Sequence, residues 1–310
     1  GWAESWSSAA TSSCEDVHVR HLRSEDSLDR RGLCLDRSLG SLEAFMLAVD
    51  EGSVTTAQGL IEWFGVLSDP QACLSETVLR DDSEAPPAEH AEEIATLRRQ
   101  LILVGISGPR DYNERIQVAK RVLERAEELG HQPLLAEASL ALGLLYIKVH
   151  EIEAARTELG RVLDIGTARQ DVELVADAWR ALFGIECMLE LDRSRASWAL
   201  SRHAALFDGL EPGLRRRARL LHDRALYLVL DSRLDEAEAT LREALPLYEA
   251  AGVSAIWEQA AAYHTLGWVL SQMGEGDAAL EAYATARELE LGSPAETRRD
   301  TSSATKLLNE

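Results

Sequence analysis

The strongest constraint on what this chain can fold into is an internal repeat. Residues 138–163, ASLALGLLYIKVHEIEAARTELGRVL, align with residues 262–289, AYHTLGWVLSQMGEGDAALEAYATAREL. In both, a Leu-Gly pair (Leu142-Gly143; Leu266-Gly267) is followed at fixed offsets by a large residue (Tyr146; Leu270), an alanine (Ala155; Ala279) and another large residue (Leu159; Tyr283). Weaker copies lie between them, at Phe183-Gly184, Cys187, Ala196 and Leu200, and at Arg224-Ala225, Leu228, Ala237 and Leu241. The small residue thus recurs at 143, 184, 225 and 267, in steps of 41, 41 and 42. Each copy reads as two helices joined by a short turn, the small residues letting the two backbones approach. One such pair cannot bury its apolar face alone, so the pairs are expected to stack into a right-handed superhelix. The turn is clearest at Gly274-Glu275-Gly276-Asp277, where glycine permits a left-handed backbone and aspartate can cap the next helix.

These positions resemble the tetratricopeptide repeat, best in 262–289, where Tyr263, Leu266, Gly267, Leu270, Gly274, Ala279, Tyr283 and Ala286 match its pattern. The family's usual period is ~34 residues, so the longer step implies extended helices or longer links. The expected architecture is all-α: a tetratricopeptide-like superhelical solenoid of helix pairs preceded by an N-terminal helical bundle. Residues 1–80 form the bundle, 81–88 a linker, 89–130 a degenerate first repeat turning at Gly108-Pro109 and ending at Gly130, 131–291 four repeats, and 292–310 a polar tail. Sparse aromatics (5%) and abundant Ala and Leu suit close helix packing.

Within the N-terminal part, helices are expected over Trp2–Arg20, Ser27–Val49, Ser53–Leu67 and Ala72–Leu79, with Ser24–Asp26 as the first turn and Ser27 as a cap. Cys14 and Cys34 each stand ten residues from position 24. In an antiparallel hairpin, equal distances from the turn put two residues at equal height, within reach of a disulfide. Two buried free thiols are an equal alternative. Cys14, His18, His21 and Cys34 could also ligate a metal, but that spacing is unspecific, and no metal or cofactor is expected. Cys187 falls on a core position and reads as a buried thiol.

A longer resemblance covers nearly the whole chain. Cys14-Glu15, His18-Val19-Arg20, Ser24, Asp29, Arg31 and Cys34-Leu35, then Leu39, Leu42 and Cys73, look like the linker region of one family. That family is the myxobacterial eukaryotic-like serine/threonine kinases that carry tetratricopeptide repeats after the kinase domain. Pro133–Ala138, PLLAEA, is similar to the entry into their first good repeat. The departure is His21-Leu22-Arg23, where relatives tend to have Gly-Glu-Gln. The resemblance implies a membrane span upstream and repeats on the extracytoplasmic side, the cytoplasm being the alternative. A Cys14–Cys34 disulfide would suit that compartment, with Cys73 pairing to a cysteine upstream. A start without Met suggests a fragment and leaves room for a leader; Gly1–Glu4 itself lacks a signal-peptide pattern.

No catalytic machinery is legible. Gly-rich loop, His-Arg-Asp, Asp-Phe-Gly, Gly-x-Ser-x-Gly and His-Glu-x-x-His motifs are all missing from the sequence. The acidic pairs Glu92-Glu93, Glu127-Glu128 and Asp235-Glu236 read as solvated helix faces. The chain is therefore expected to bind rather than catalyse, as a sensor or scaffold of a kinase; a free-standing tetratricopeptide regulator or self-assembly module is the alternative. With 53 acids against 32 bases and a formal charge of −21, it should repel nucleic acid, and no apolar run is long enough to span a bilayer. The expected partner is a protein or peptide, the oligomeric state being open.

In such a spiral the first helix of each pair lines the concave face. The stripe predicted there is Glu137, Leu140, Leu144, Ile147; Ala178, Ala181, Ile185, Met188; Arg219, His222, Leu226, Val229; and Ala261, His264, Trp268, Ser271. Ile185, Arg219, His222, His264 and above all Trp268 are the candidate partner-binding residues, because aromatics and arginine dominate binding energy. Packing between adjacent pairs is the competing role for these side chains, and the favoured one for Trp179. Arg215-Arg216-Arg217, near a helix start, calls for acidic neighbours; a phosphate or acidic-motif site is the alternative.

Overall fold

A computed structural model describes residues 2–50, 70–75, 86–106, 111–208 and 213–291. The expected helix 53–67, most of those over 72–79 and the 81–88 linker, the Gly108-Pro109 turn and the 292–310 tail lie outside the described residues. Among the described residues the fold is all-helical. Twelve α-helices run in chain order: α1 (Trp2–His18), α2 (Glu25–Asp50), α3 (Ala91–Ile106), α4 (Tyr112–Leu129), α5 (Gln132–Lys148), α6 (Ile152–Ala168), α7 (Val172–Gly184), α8 (Arg193–Ala205), α9 (Leu214–Leu230), α10 (Leu234–Ala251), α11 (Ile256–Gln272) and α12 (Gly276–Leu291). Short 3-10 turns occur at Pro70–Leu74 and Gly252–Ala255, and a π-helical turn, Ile185–Leu189, extends α7. From α3 onward each helix packs chiefly on its neighbours in the chain.

Backbone proximity explains the repeat. Ala155, Ala196, Ala237 and Ala279, on the second helix of successive pairs, are all buried. A Cβ added at Gly143 would lie 3.0 Å from Leu159 Cγ, and one at Gly267 would lie 2.8 Å from Tyr283 Cε1. Ala225 is fully buried beside Ala237 and Leu241. Gly184 departs from this pattern: nothing lies within 4 Å of its added Cβ. Phe183 and Cys187 instead fill the contact with Ala196 and Ala199 on α8.

The turns carry the same step. His150, Leu191, Ser232 and Gly274, seven residues beyond the four small positions, adopt φ of 61°, 53°, 62° and 84°. A left-handed residue after a helix lets a later N–H reach back and satisfy an orphan carbonyl. Thus Glu151 N–H donates to Tyr146 O, Arg233 to Leu228 and Glu275 to Leu270, each at 2.9 Å. At the π turn the bond spans one residue more, Asp192 N–H to Glu186 O at 2.9 Å. Aspartate then starts several helices: Asp111, Asp171 and Asp192 accept from Asn113, Leu174 and Arg195 N–H at 2.9–3.0 Å.

At the N-terminus α1, α2 and the Pro70–Leu74 turn form a clip around Ala9, Leu35 and Cys73. Trp6 Nε1 donates to Leu35 O at 3.0 Å, and buried Arg31 pairs with Asp16 at 3.0 Å. The cysteine pairing differs from expectation. Cys34 is bonded to Cys73, with Cα atoms 5.6 Å apart, while Cys14 is free and exposed. The turn lies earlier than position 24: α1 ends at His18, α2 starts at Glu25, and Ser24 Oγ, rather than Ser27, accepts the Ser27 N–H. Cys14 therefore stands four residues before its helix end and Cys34 nine past its helix start. That mismatch is about 7–8 Å of height at 1.5 Å per residue. Ser13, not Cys14, turns inward. Nor can Cys34 complete a metal site with Cys14, His18 and His21, because its sulfur is consumed. Cys187 is buried, as its core position implied, and burial pushes its thiol up to about 11.

Two outcomes follow. Leu191, exposed and at φ 53°, carries the cost of a left-handed L-residue without burial in return. Leu191→Gly should therefore raise stability by about 1 kcal/mol in chemical denaturation. The Cys34–Cys73 bridge closes a span of 39 residues, which contributes ~4 kcal/mol by loop entropy. Reductant or Cys73→Ser should lower the melting temperature of the N-terminal clip, Cys14→Ser should not, and non-reducing peptide mapping should recover the 34–73 pair.

Candidate functional site

A ladder of charged side chains ties first helices of successive pairs together: α3 to α5, and α7 to α9 to α11. Arg98 of α3 grips Glu137 of α5 through both carboxylate oxygens at 2.8–3.1 Å. Arg216 of α9 donates to Asp177 of α7 at 2.8 Å and also pairs with Glu173. Arg180 of α7 faces Asp223 of α9 at 3.5 Å. Glu258 of α11 receives Arg215 at 2.6 Å and Arg219 at 3.0 Å, while His222 Nε2 meets Thr265 Oγ1 at 2.9 Å. The partners are 39 or 43 residues apart. A spacing of one step minus or plus two places the partner about half a turn down or up the neighbouring helix. The Arg215–Arg217 triplet thus belongs to an ion-pair network, with Arg217 reaching Glu243 at 3.9 Å.

Electrostatics follow from this crowding. Burial alone would raise Asp177, but Arg216 and Arg219 overcome it and hold the carboxyl at about 2, although 41% of its side chain meets solvent. Asp223 is likewise held down against burial by Arg180 and His203, and Glu258 by Arg219 and Arg215. Burial lowers His222 to about 4, with Asp223 and Glu258 pulling up and Arg180 pushing further down. It is a neutral hydrogen-bonding imidazole at pH 7.

Beside these helices a cavity of about 1050 Å³ opens between α2, α3, α5, α7 and α9. Seven residues of the sequence-derived stripe line it: Glu137, Leu140, Leu144, Ile147, Ala181, Met188 and Leu226. The five residues singled out for partner binding do not. Ile185 is fully buried in the core with Ala155, Leu159 and Val162. Ile185 shares the inward face of Ala178, seven residues earlier, and the π-helical turn that begins there carries Met188 and Leu189 to the cavity. His222 is 5% exposed and held by Thr265, so it is not open to a guest. Arg219 is committed to Glu258, its side chain 18% exposed. Those two are ties between adjacent helices rather than partner contacts. Trp268 and His264 remain accessible on α11, Trp268 being 43% exposed and His264 lying 3.0 Å from Glu290 of α12. Trp179 packs edge-on against Trp198, ring centroids 4.8 Å apart.

Opposite charges 39 or 43 residues apart are visible in the sequence and could have disclosed the ladder once the step was known. The cavity had no such signal, because α2 belongs to none of the repeats. Of the acidic pairs, Glu93 and Glu128 both pair with Arg125, Glu127 with Arg161 and Glu236 with Arg233.

No family model and no curated protein matches the chain. Among solved structures it is similar to the crystal structure of BtubC (BKLC) from P. vanneervenii, at 18% identity over 83% of this chain and 89% of that one, with a TM-score of 0.49. That likeness is too distant to say what the chain does.

The ladder makes stability fall with acid. In the unfolded chain His222 takes up a proton near 6.5, in the folded chain only near 4. The unfolded state therefore binds more protons in that window, and stability present above 6.5 is lost as pH falls towards 4, by roughly 3 kcal/mol. Asp177, Asp223 and Glu258, all depressed, extend the loss below pH 4. Urea midpoints between pH 7 and 4 should trace the decline, and His222→Gln should flatten the part between 6.5 and 4.

Proposed function

We propose that this chain is a non-catalytic protein-interaction module of tetratricopeptide type, the sensor or scaffold region of a serine/threonine kinase. The helix-pair step, the small residue at three of the four pair contacts and the left-handed residue at each of the four turns support the repeat type. The observation that carries binding is the placement of the stripe: Leu144 and Leu226, the register equivalents of Trp268, line the concave cavity. Trp268 thus continues the same face towards the C-terminus, where a half-exposed indole beside His264 offers an anchor for a protein or peptide partner.

Partners are proteins rather than nucleic acid, given the formal charge of −21. No described helix is long and apolar enough to cross a membrane. The Cys34–Cys73 bridge suits an oxidising compartment, in keeping with repeats held outside the cytoplasm by a membrane-anchored kinase.

Trp268→Ala tests the anchor. Quantitative capture with the folded chain as bait should retain a partner with the native protein and lose it, by about tenfold or more in affinity, with the variant, while circular dichroism stays unchanged. Equal retention by both would remove Trp268 from the interface.

A further inference from the structure

We propose that the cavity between α2 and the first helices of the repeats binds a long unbranched carboxylate, its apolar chain lying along the α5–α7 wall and its anionic head pairing with Lys148. This site is separate from the Trp268 surface, since neither Trp268 nor His264 lines it.

Three observations carry the assignment. The cavity, about 1050 Å³, stands at the upper end of the range for pockets that enclose a small molecule, ~300–1,000 Å³. Its wall is largely aliphatic, and Leu144, Met188 and Leu189 are exposed there in a folded chain. Apolar side chains gathered in a concavity and left to water mark a binding surface.

Charge is the second. The chain carries −21 overall, yet six cations and four carboxylates line this cavity, a net +2. Most of those charges are already used. Arg98 holds Glu137, Arg99 stands 3.7 Å from Glu43, Arg180 faces Asp223, and Arg115 donates to Val104 O at 2.7 Å. Arg37 contacts Leu33 O at 3.4 Å. Lys148, at the end of α5, is the lining cation that no described group meets; among the carboxylates the same holds for Asp36 on α2. An exposed lysine on the lining of an apolar cavity in so acidic a chain is complementary to one negative head.

The third observation selects an acyl chain over a peptide. An extended peptide brings an N–H and a C=O with every residue, and each must be paired when buried. The lining has no Asn, Gln, Thr, Tyr or His, and its one hydroxyl, on Ser41, already donates to Arg37 O at 3.1 Å. Lys148 and Asp36 apart, such a wall offers few partners to the backbone of a deeply inserted peptide. It asks nothing of a methylene chain, whose burial is favourable along its length.

Isothermal titration of the full chain with hexadecanoate, below its micelle concentration, tests the site. Saturable one-to-one binding is expected, weakened about tenfold or more by Lys148→Glu and by Leu144→Arg, both exposed positions where the fold should persist. Hexadecanol should bind more weakly than hexadecanoate. No saturable binding, or equal affinity in both variants, overturns the proposal. Preference for hexadecyltrimethylammonium would assign the head to Asp36 instead and overturn it. So would an acidic-apolar peptide that occupies the cavity and is not displaced by hexadecanoate.

Discussion

Two helices whose backbones must nearly touch tolerate only glycine or alanine at the point of contact. Three of the four pairs from α5 onward meet that requirement, at Gly143, Ala225 and Gly267, while at Gly184 nothing stands in the space of an added Cβ. At Gly143 and Gly267 the facing Leu159 and Tyr283 occupy the space a Cβ would need, and the matching alanines on the second helices are buried at every copy. Close approach within a pair fixes where its large residues emerge, and those residues form the groove into which the next pair packs. The step of 41 to 42 is the length of chain needed to go up one helix, down the next, and return to the same contact.

The turns obey the same count through a different force. A helix end leaves carbonyls without partners, and one left-handed residue restores a bond to them. Of the four repeat turns, only the one at Gly274 does so without strain; His150, Leu191 and Ser232 accept the conformation at a cost. The position is therefore imposed by the geometry of the hairpin rather than by the residue that fills it. At Ile185–Leu189 the turn is π-helical: Ile185 faces the core with Ala178, and Met188 and Leu189 line the cavity.

Polar residues on the first helices were expected to serve a guest, and most serve their neighbours. Arg219 and His222 look like binding residues when read on one helix, because arginine and histidine on a concave stripe are common in interfaces. Beside them, however, Glu258 and Thr265 arrive from the next helix and consume their hydrogen bonds. Crowded charges of both signs also explain how an acidic chain buries Asp223 and half-buries Asp177: each carboxylate is matched by arginines from a helix one pair away. The ladder does not reach Trp268 towards one end of the chain, nor the aliphatic wall with Lys148 towards the other.

Local pattern determined a good deal by itself. Helical class, the pairing of helices, the contact residues at 143, 225 and 267 and the left-handed turn at Gly274 follow from spacing, because each depends only on one helix and the next in the chain. Contacts that join distant segments were decided only by tertiary structure. Cys34 meets Cys73 instead of Cys14 because the first turn falls earlier than the sequence midpoint and a third segment closes over α2. Ile185 is lost from the stripe because Ala155, Leu159 and Val162 of the preceding helix cover it, and the cavity exists because α2 lies against helices outside its own part of the chain. Periodicity tells which face of a helix is buried; what buries it depends on how the chain returns.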